Sequence, residues 1–70
     1  MESKEIQIQT EFIKLVAFLK YAGICSTGGE ASVRIENGEI RINGELCFMR
    51  GKKLHKGDTV TIGSQQYHIV

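Results

Sequence analysis

The stretch IRINGELCF, residues 40–48, decides the fold. Ile40 and Ile42 flank Arg41, Leu46 and Phe48 flank Cys47, and Asn43-Gly44 lies between the two runs. A period of two marks a half-buried strand, and Asn-Gly is the strongest short hairpin signal. A plain two-residue turn would pair Ile42 with Glu45 and Ile40 with Cys47. That would leave Leu46 and Phe48 on the face opposite the isoleucines. One buried face calls for Ile40 and Leu46 together, so the spacing predicts a three-residue loop, or a bulge beside the turn.

C-terminal to the hairpin, MRGKKLHKGD (residues 49–58) reads as a turn-rich connection. TVTI, a Gly63-Ser64 turn and QYHIV then form a second hairpin, with Val60, Ile62, Tyr67 and Ile69 apolar. N-terminal to it, STGGEASVRIENG reads as a helix over residues 28–37. Ser26 or Thr27 caps that helix, Glu30 completes a capping box with Thr27, and Asn37-Gly38 ends it. A first helix over 11–22 has Thr10 as N-cap and Glu11 in its first turn. Its stripe is Leu15, Phe18, Leu19 and Ala22, and Gly23 follows it. EIQIQ (residues 5–9) is a short opening strand. The predicted class is α+β, a helical pair packed on a short, mostly antiparallel sheet. Leu15, Leu19, Ala31, Ile40, Ile42, Leu46 and Val60 should be buried together.

Seventy residues suffice for one domain, spanning 1–70. A domain of this size buries only ~60% of its unfolded surface. That leaves little room for a core and a deep active site together, which argues against an enzyme. The start MESKEIQIQT has no apolar signal-peptide centre, and no stretch approaches the ~20 apolar residues of a membrane span. A cytoplasmic protein with reduced thiols is expected. Cys25, Cys47, His55 and His68 show no knuckle spacing, so no metal site and no cofactor are expected. No nucleophile is marked as adjacent to a histidine, and the carboxylates are scattered singly. Gly28-Gly29 at a helix start is reminiscent of a phosphate cradle, but neither a P-loop nor a dinucleotide fingerprint surrounds it.

Charge is unevenly distributed. Residues 1–49 carry five basic and seven acidic side chains, a net −2. Residues 50–57 carry Arg50, Lys52, Lys53 and Lys56 with no acid, a net +4. These cations add to one local field on a short segment. Arg41 projects from the hairpin beside them, and arginine forks and lysine point charges suit phosphate oxygens.

These motifs, in order, carry a resemblance: F-L-K-x-A-G at residues 18–23, [ST]-G-G-E-A at 27–31, I-x-I-N-G-E at 40–45 and R-G-K-K-L-x-x-G-D at 50–58. Over about residues 6–62 the chain resembles the RNA-binding domain of the ribosomal-protein-S-four type, the alpha-L motif. In particular, it resembles the small stand-alone bacterial proteins of the YbcJ/YaaA type. The resemblance implies a non-catalytic protein that offers a surface to structured RNA, with ribosomal or transfer RNA as candidates and a ribosomal particle as a setting. The matching positions are Thr27, Gly28, Gly29 and Ser32 on the second helix, Arg41, Asn43 and Gly44 on the hairpin, and Arg50, Lys52 and Lys53 after it. Relatives often carry arginine at the position of Gly28 and lysine at that of Ser32, while Arg34 stands where they are apolar and adds a charge to the same set.

Most of Phe12, Phe18, Phe48, Tyr21 and Tyr67 read as core residues, which argues against a single-strand stacking platform. The competing reading is a protein-interaction module with little nucleic-acid affinity, which would show an apolar patch in place of a basic one. A monomer is expected, with no membrane partner.

Overall fold

The structure, a computed structural model, describes residues 2–70. The elements in chain order are β1 (Glu2–Ile6), β2 (Phe12–Lys14), α1 (Leu15–Tyr21), α2 (Gly28–Glu36), β3 (Ile40–Ile42), β4 (Glu45–Leu46), β5 (Lys53–His55), β6 (Thr59–Ile62) and β7 (Gln65–Ile69). The main sheet has the order β1-β7-β6-β3-β4, with β1 parallel to β7 and the other pairs antiparallel. A separate ribbon pairs β2 with β5. Two helices packed on a mixed sheet make this the α+β class that the sequence predicts.

The core forms where the helical stripe meets the alternating strands. Leu15, Phe18 and Leu19 from α1 and Ala31 and Ile35 from α2 are fully buried. They share one cluster with Ile40 and Ile42 of β3, Val60 and Ile62 of β6, and Tyr67 and Ile69 of β7. Phe18 and Tyr67 meet edge to face at 6.3 Å, a favoured aromatic arrangement. Thr27 caps α2 as predicted, its Oγ1 accepting from Glu30 N–H at 3.1 Å.

Four expectations fail, each for an identifiable reason. The first concerns the start of α1, which is Leu15 and not residue 11. Phe12, Ile13 and Lys14 are instead a strand with only Ile13 facing inward. A short amphipathic strand running into a helix continues its apolar stripe, so periodicity cannot separate them. Thr10 therefore caps nothing, and its hydroxyl donates to Phe12 O at 2.7 Å. The N-cap position is Lys14, which offers no side-chain cap. The first-turn N–H groups of Leu15 and Val16 donate to Lys52 O at 2.8 Å and Arg50 O at 3.0 Å. A distant chain segment thus does the work of a cap.

Second, the opening strand begins earlier than residue 5. Ile8 lies past its end and is still buried, with its N–H bonded to Val70 O. Third, residues 53–55 form β5, where the sequence reads as a turn. Leu54 is its buried member.

The fourth correction is to the hairpin register. β3 and β4 pair Ile42 with Glu45 and Arg41 with Leu46, and Cys47 N–H donates to Ile40 O at 3.0 Å. This is the plain two-residue turn with no bulge. Asn43 and Gly44 both have positive φ, +51° and +89°, as the primed hairpin turn requires. Cys47, half-buried against the core, takes the inward place expected for Leu46. Leu46 and Phe48 instead face solvent, 48% and 58% exposed. Exposed aromatics are therefore less scarce than the sequence suggests. Phe18 and Tyr67 are buried, but Phe12, Tyr21 and Phe48 are not.

Candidate nucleic-acid interface

The hairpin turn and the β5–β6 turn are locked together by side chains. Asn43 Nδ2 donates to Asp58 Oδ1 at 3.1 Å, and Asn43 Oδ1 accepts from Thr59 N–H at 2.9 Å. Asp58 Oδ2 accepts from His55 N–H at 2.8 Å. Asn43 N–H closes the lock by donating to Thr59 O at 2.8 Å. Asn43 is suited to this post twice over. It tolerates the left-handed backbone of the turn, and its amide offers both a donor and an acceptor.

The lock fixes the basic segment beside the hairpin. Between them lies an open groove of about 590 Å³, walled by Asn43, Leu46, Phe48, Lys52, Lys53 and His55 among others. Met49, 67% exposed, also lines it. Gly38, just past α2, has φ +77°, and a Cβ there would come within 3.3 Å of the Phe48 ring. The absence of a side chain at Gly38 lets the ring lie close to the end of the helix. Arg41 reaches back over the turn to Gly44 O at 3.4 Å. Among the described residues, Arg41, Arg50, Lys52 and Lys53 form no ion pair with a carboxylate.

The remaining sequence-predicted residues sit differently. Thr27 is committed to its cap, Gly29 is exposed, and Gly28 and Ser32 are half-buried. None of the four lines the groove. Phe48 meets the far end of α2, and nine helical residues span about 13 Å. Arg34 pairs with Glu39 at 3.0 Å. The Glu39 hydrogen bond holds the guanidinium above its ordinary value despite the opposing effect of burial, with Cys25 adding a smaller upward push. Its charge is thereby largely compensated within the fold. The groove contains residues that the sequence reading passed over, namely Leu46, Met49, His55 and Asp58. The two-residue turn alone would have placed Leu46 and Phe48 outward. Nothing in the sequence marks Asp58 as the tether.

Two expected results follow from the lock. Asn43→Ala should cost roughly 2–5 kcal/mol, combining ~1–2 for left-handed backbone with ~0.5–1.5 for each of two lost side-chain hydrogen bonds. Asn43→Gly removes only the two hydrogen bonds, so about 1–3 kcal/mol is expected. Urea unfolding of the two variants separates the contributions.

Asp58 provides the pH dependence. Burial pushes its carboxyl up, but hydrogen bonds from His55 N–H and the Asn43 amide, with the charges of His55 and Lys52, outweigh this and hold it below its ordinary value of 3.8. A depressed carboxylate contributes stability that is fully present above the unfolded pKa and lost as pH falls through the folded one. Asp58→Asn should therefore be less stable than wild type at neutral pH, with the gap closing below about pH 4. Urea midpoints measured from pH 7 down to pH 3 test this. A gap that stays constant to pH 3 would contradict it.

Residues 6–70 match the S4 domain family. The match runs past the 6–62 of the sequence resemblance to the end of the chain. Over 57 residues the chain is 42% identical to a protein of Bacillus subtilis (strain 168) named "Probable ribosome maturation protein RlbA". The aligned part covers 81% of this chain and 80% of that relative. Among the described residues, no helix is long and apolar enough to cross a membrane.

Proposed function

The chain belongs to the S4 domain family, and from that premise we propose that it is a non-catalytic, cytoplasmic protein that binds structured RNA in a ribosome-related role. The contact surface in this reading is the hairpin and the basic segment tied to it. Asn43 on one side and Lys52 and Lys53 on the other line the groove, and Arg41, Gly44 and Arg50 extend the surface beyond its rim. The lock from Asn43 to Asp58 is the observation that carries the reading, because it ties the end of the basic segment, at His55 and Asp58, to the hairpin turn and so keeps its exposed cations beside that turn. Preset cations favour a partner whose phosphates are also at fixed positions, which is what a folded RNA presents. The start of α2, with Thr27, Gly28, Gly29 and Ser32, extends this surface if the RNA is broad enough to span the helix. That the Bacillus relative is named a probable ribosome maturation protein favours ribosomal RNA over transfer RNA as the ligand in this reading.

Titration of a folded ribosomal RNA fragment at several salt concentrations, followed by fluorescence anisotropy, tests the reading. With ~3–5 phosphates neutralised, log affinity should fall with log salt at a slope of roughly −2 to −4. The absence of binding at low salt would overturn it. One observation favours a second reading, that this face docks a protein. Leu46, Phe48 and Met49 form an exposed apolar patch within the groove. If RNA does not bind, that patch becomes the working surface.

A further inference from the structure

The outer face of the β2–β5 ribbon carries a cluster that no residue of the proposed surface explains except Lys53. The register pairs Phe12 with His55 and Lys14 with Lys53, and all four side chains are exposed. Ile13 and Leu54, between them, point inward. Leu15 N–H bonds to Lys52 O, so by the alternation of an antiparallel ladder Lys14 and Lys53 form a non-hydrogen-bonded pair. That is the position where opposing side chains come closest, with Cβ atoms ~4.5–5.5 Å apart. Like charges set directly opposite destabilise a ribbon. Among the described residues, neither lysine is ion-paired with a carboxylate. Lys53 Nζ lies 4.8 Å above the Phe12 ring, a cation–π contact that steadies the ammonium without cancelling its charge.

The surrounding acids do not pair with either lysine. Asp58 is engaged with Asn43 and His55, Glu45 lines the groove from the hairpin side without an ion pair to Lys53, and Glu11 lies before β2, at the opposite end of the ribbon from Lys14. Two lysines paired across the ribbon on its exposed face, neither of them ion-paired with a carboxylate, suit an oxyanion held between them. We infer that Lys14 and Lys53 clamp one backbone phosphate of the bound RNA, so that the contact surface continues from the groove onto the outer face of the ribbon. This inference rests on the RNA-binding reading and adds Lys14 to it. The sequence places Lys14 inside a helix, where it would have had no such partner.

Lys14→Gln tests it, with Lys14→Arg retaining the charge and Lys20→Gln removing a charge elsewhere on α1. Lys14 makes no side-chain cap, so its loss takes nothing from the helix. One phosphate contact corresponds to a salt slope of about 0.7–0.9, or roughly five- to eightfold in affinity at 0.1 M relative to 1 M salt. Because Lys53 still reaches the phosphate, a whole contact is the upper bound: Lys14→Gln should bind folded ribosomal RNA more weakly at 0.1 M salt, by up to about five- to eightfold, with the slope reduced by up to about 0.7–0.9. Lys14→Arg and Lys20→Gln should keep the wild-type slope. The urea midpoint of the RNA-free Lys14→Gln protein should equal or exceed that of wild type, because a like-charge pair has been removed. If Lys14→Gln binds with the wild-type slope, the clamp is refuted and the wider reading stands. A wild type that binds no folded RNA removes both. A midpoint below wild type would make Lys14 a structural residue and overturn the like-charge argument.

Discussion

Replacing Lys52 and Lys53 together with glutamate is expected to weaken binding to folded ribosomal RNA by about 25–60-fold or more at 0.1 M salt. Each lost phosphate contact removes about 0.7–0.9 from the salt slope, so two remove about 1.4–1.8. At a tenth of molar salt, that difference is the stated factor. Reversal of sign adds repulsion on top of the lost contacts. Both side chains are exposed, and exposed charges contribute little to stability, so the fold should survive. The charge-matched control is Lys4 and Lys20 changed to glutamate. Lys4 lies on β1 and Lys20 on α1, and neither lines the groove. The control should retain most of the affinity and the wild-type slope. Equal losses in the two double variants would reduce the interaction to diffuse charge with no defined site. Anisotropy titrations at several salt concentrations provide the measurement, with circular dichroism to verify folding.

Leu54→Ala should be far more damaging to the fold than Leu46→Ala. Leu54 is wholly buried, whereas Leu46 is 48% exposed. Truncating a buried leucine costs about 2–5 kcal/mol, while an exposed substitution stays within about 0.5. A chain of 70 residues has a total stability of roughly 4–10 kcal/mol, so the first change removes a large share of it. Leu54 also anchors β5, which directly follows the segment whose Arg50 and Lys52 carbonyls cap α1. Its loss should release the first turn of that helix as well. Urea unfolding of both variants checks this. Equal costs would mean that the hairpin has the other register, with Leu46 in the core.

Local signals carried most of the fold. The Thr27 cap, the Leu15–Phe18–Leu19 stripe, the Asn43-Gly44 turn and the Gly63-Ser64 turn act within a few residues, and each stands where its chemistry predicts. What the sequence concealed depends on partners distant along the chain. Lys52 and Arg50 cap α1 through their backbone carbonyls, which no side-chain pattern records. Phe12–Lys14 becomes a strand only because Lys53–His55 lies beside it.

The hairpin register shows a different limit. The rule that apolar side chains share a buried face favoured a bulge at the turn. Asn43 and Gly44 adopt their preferred turn conformation instead, and the small, half-buried Cys47 fills the inward place. Leu46 and Phe48 are then left on the face that also carries Arg41. At the candidate site, the cluster of cations from Arg50 to Lys53 was legible from charge alone. The Asn43–Asp58 lock that fixes their position was not, because an isolated Asp after a glycine has many ordinary roles in turns.

Ultraviolet crosslinking of the protein to RNA in living cells, with identification of both the attached RNA and the attached peptide, tests the central claim most directly. The account predicts ribosomal RNA joined to peptides spanning Arg41–Gly44 and Arg50–His55. Absence of RNA adducts, or adducts confined to β1 and β7 on the opposite side of the sheet order, would contradict it.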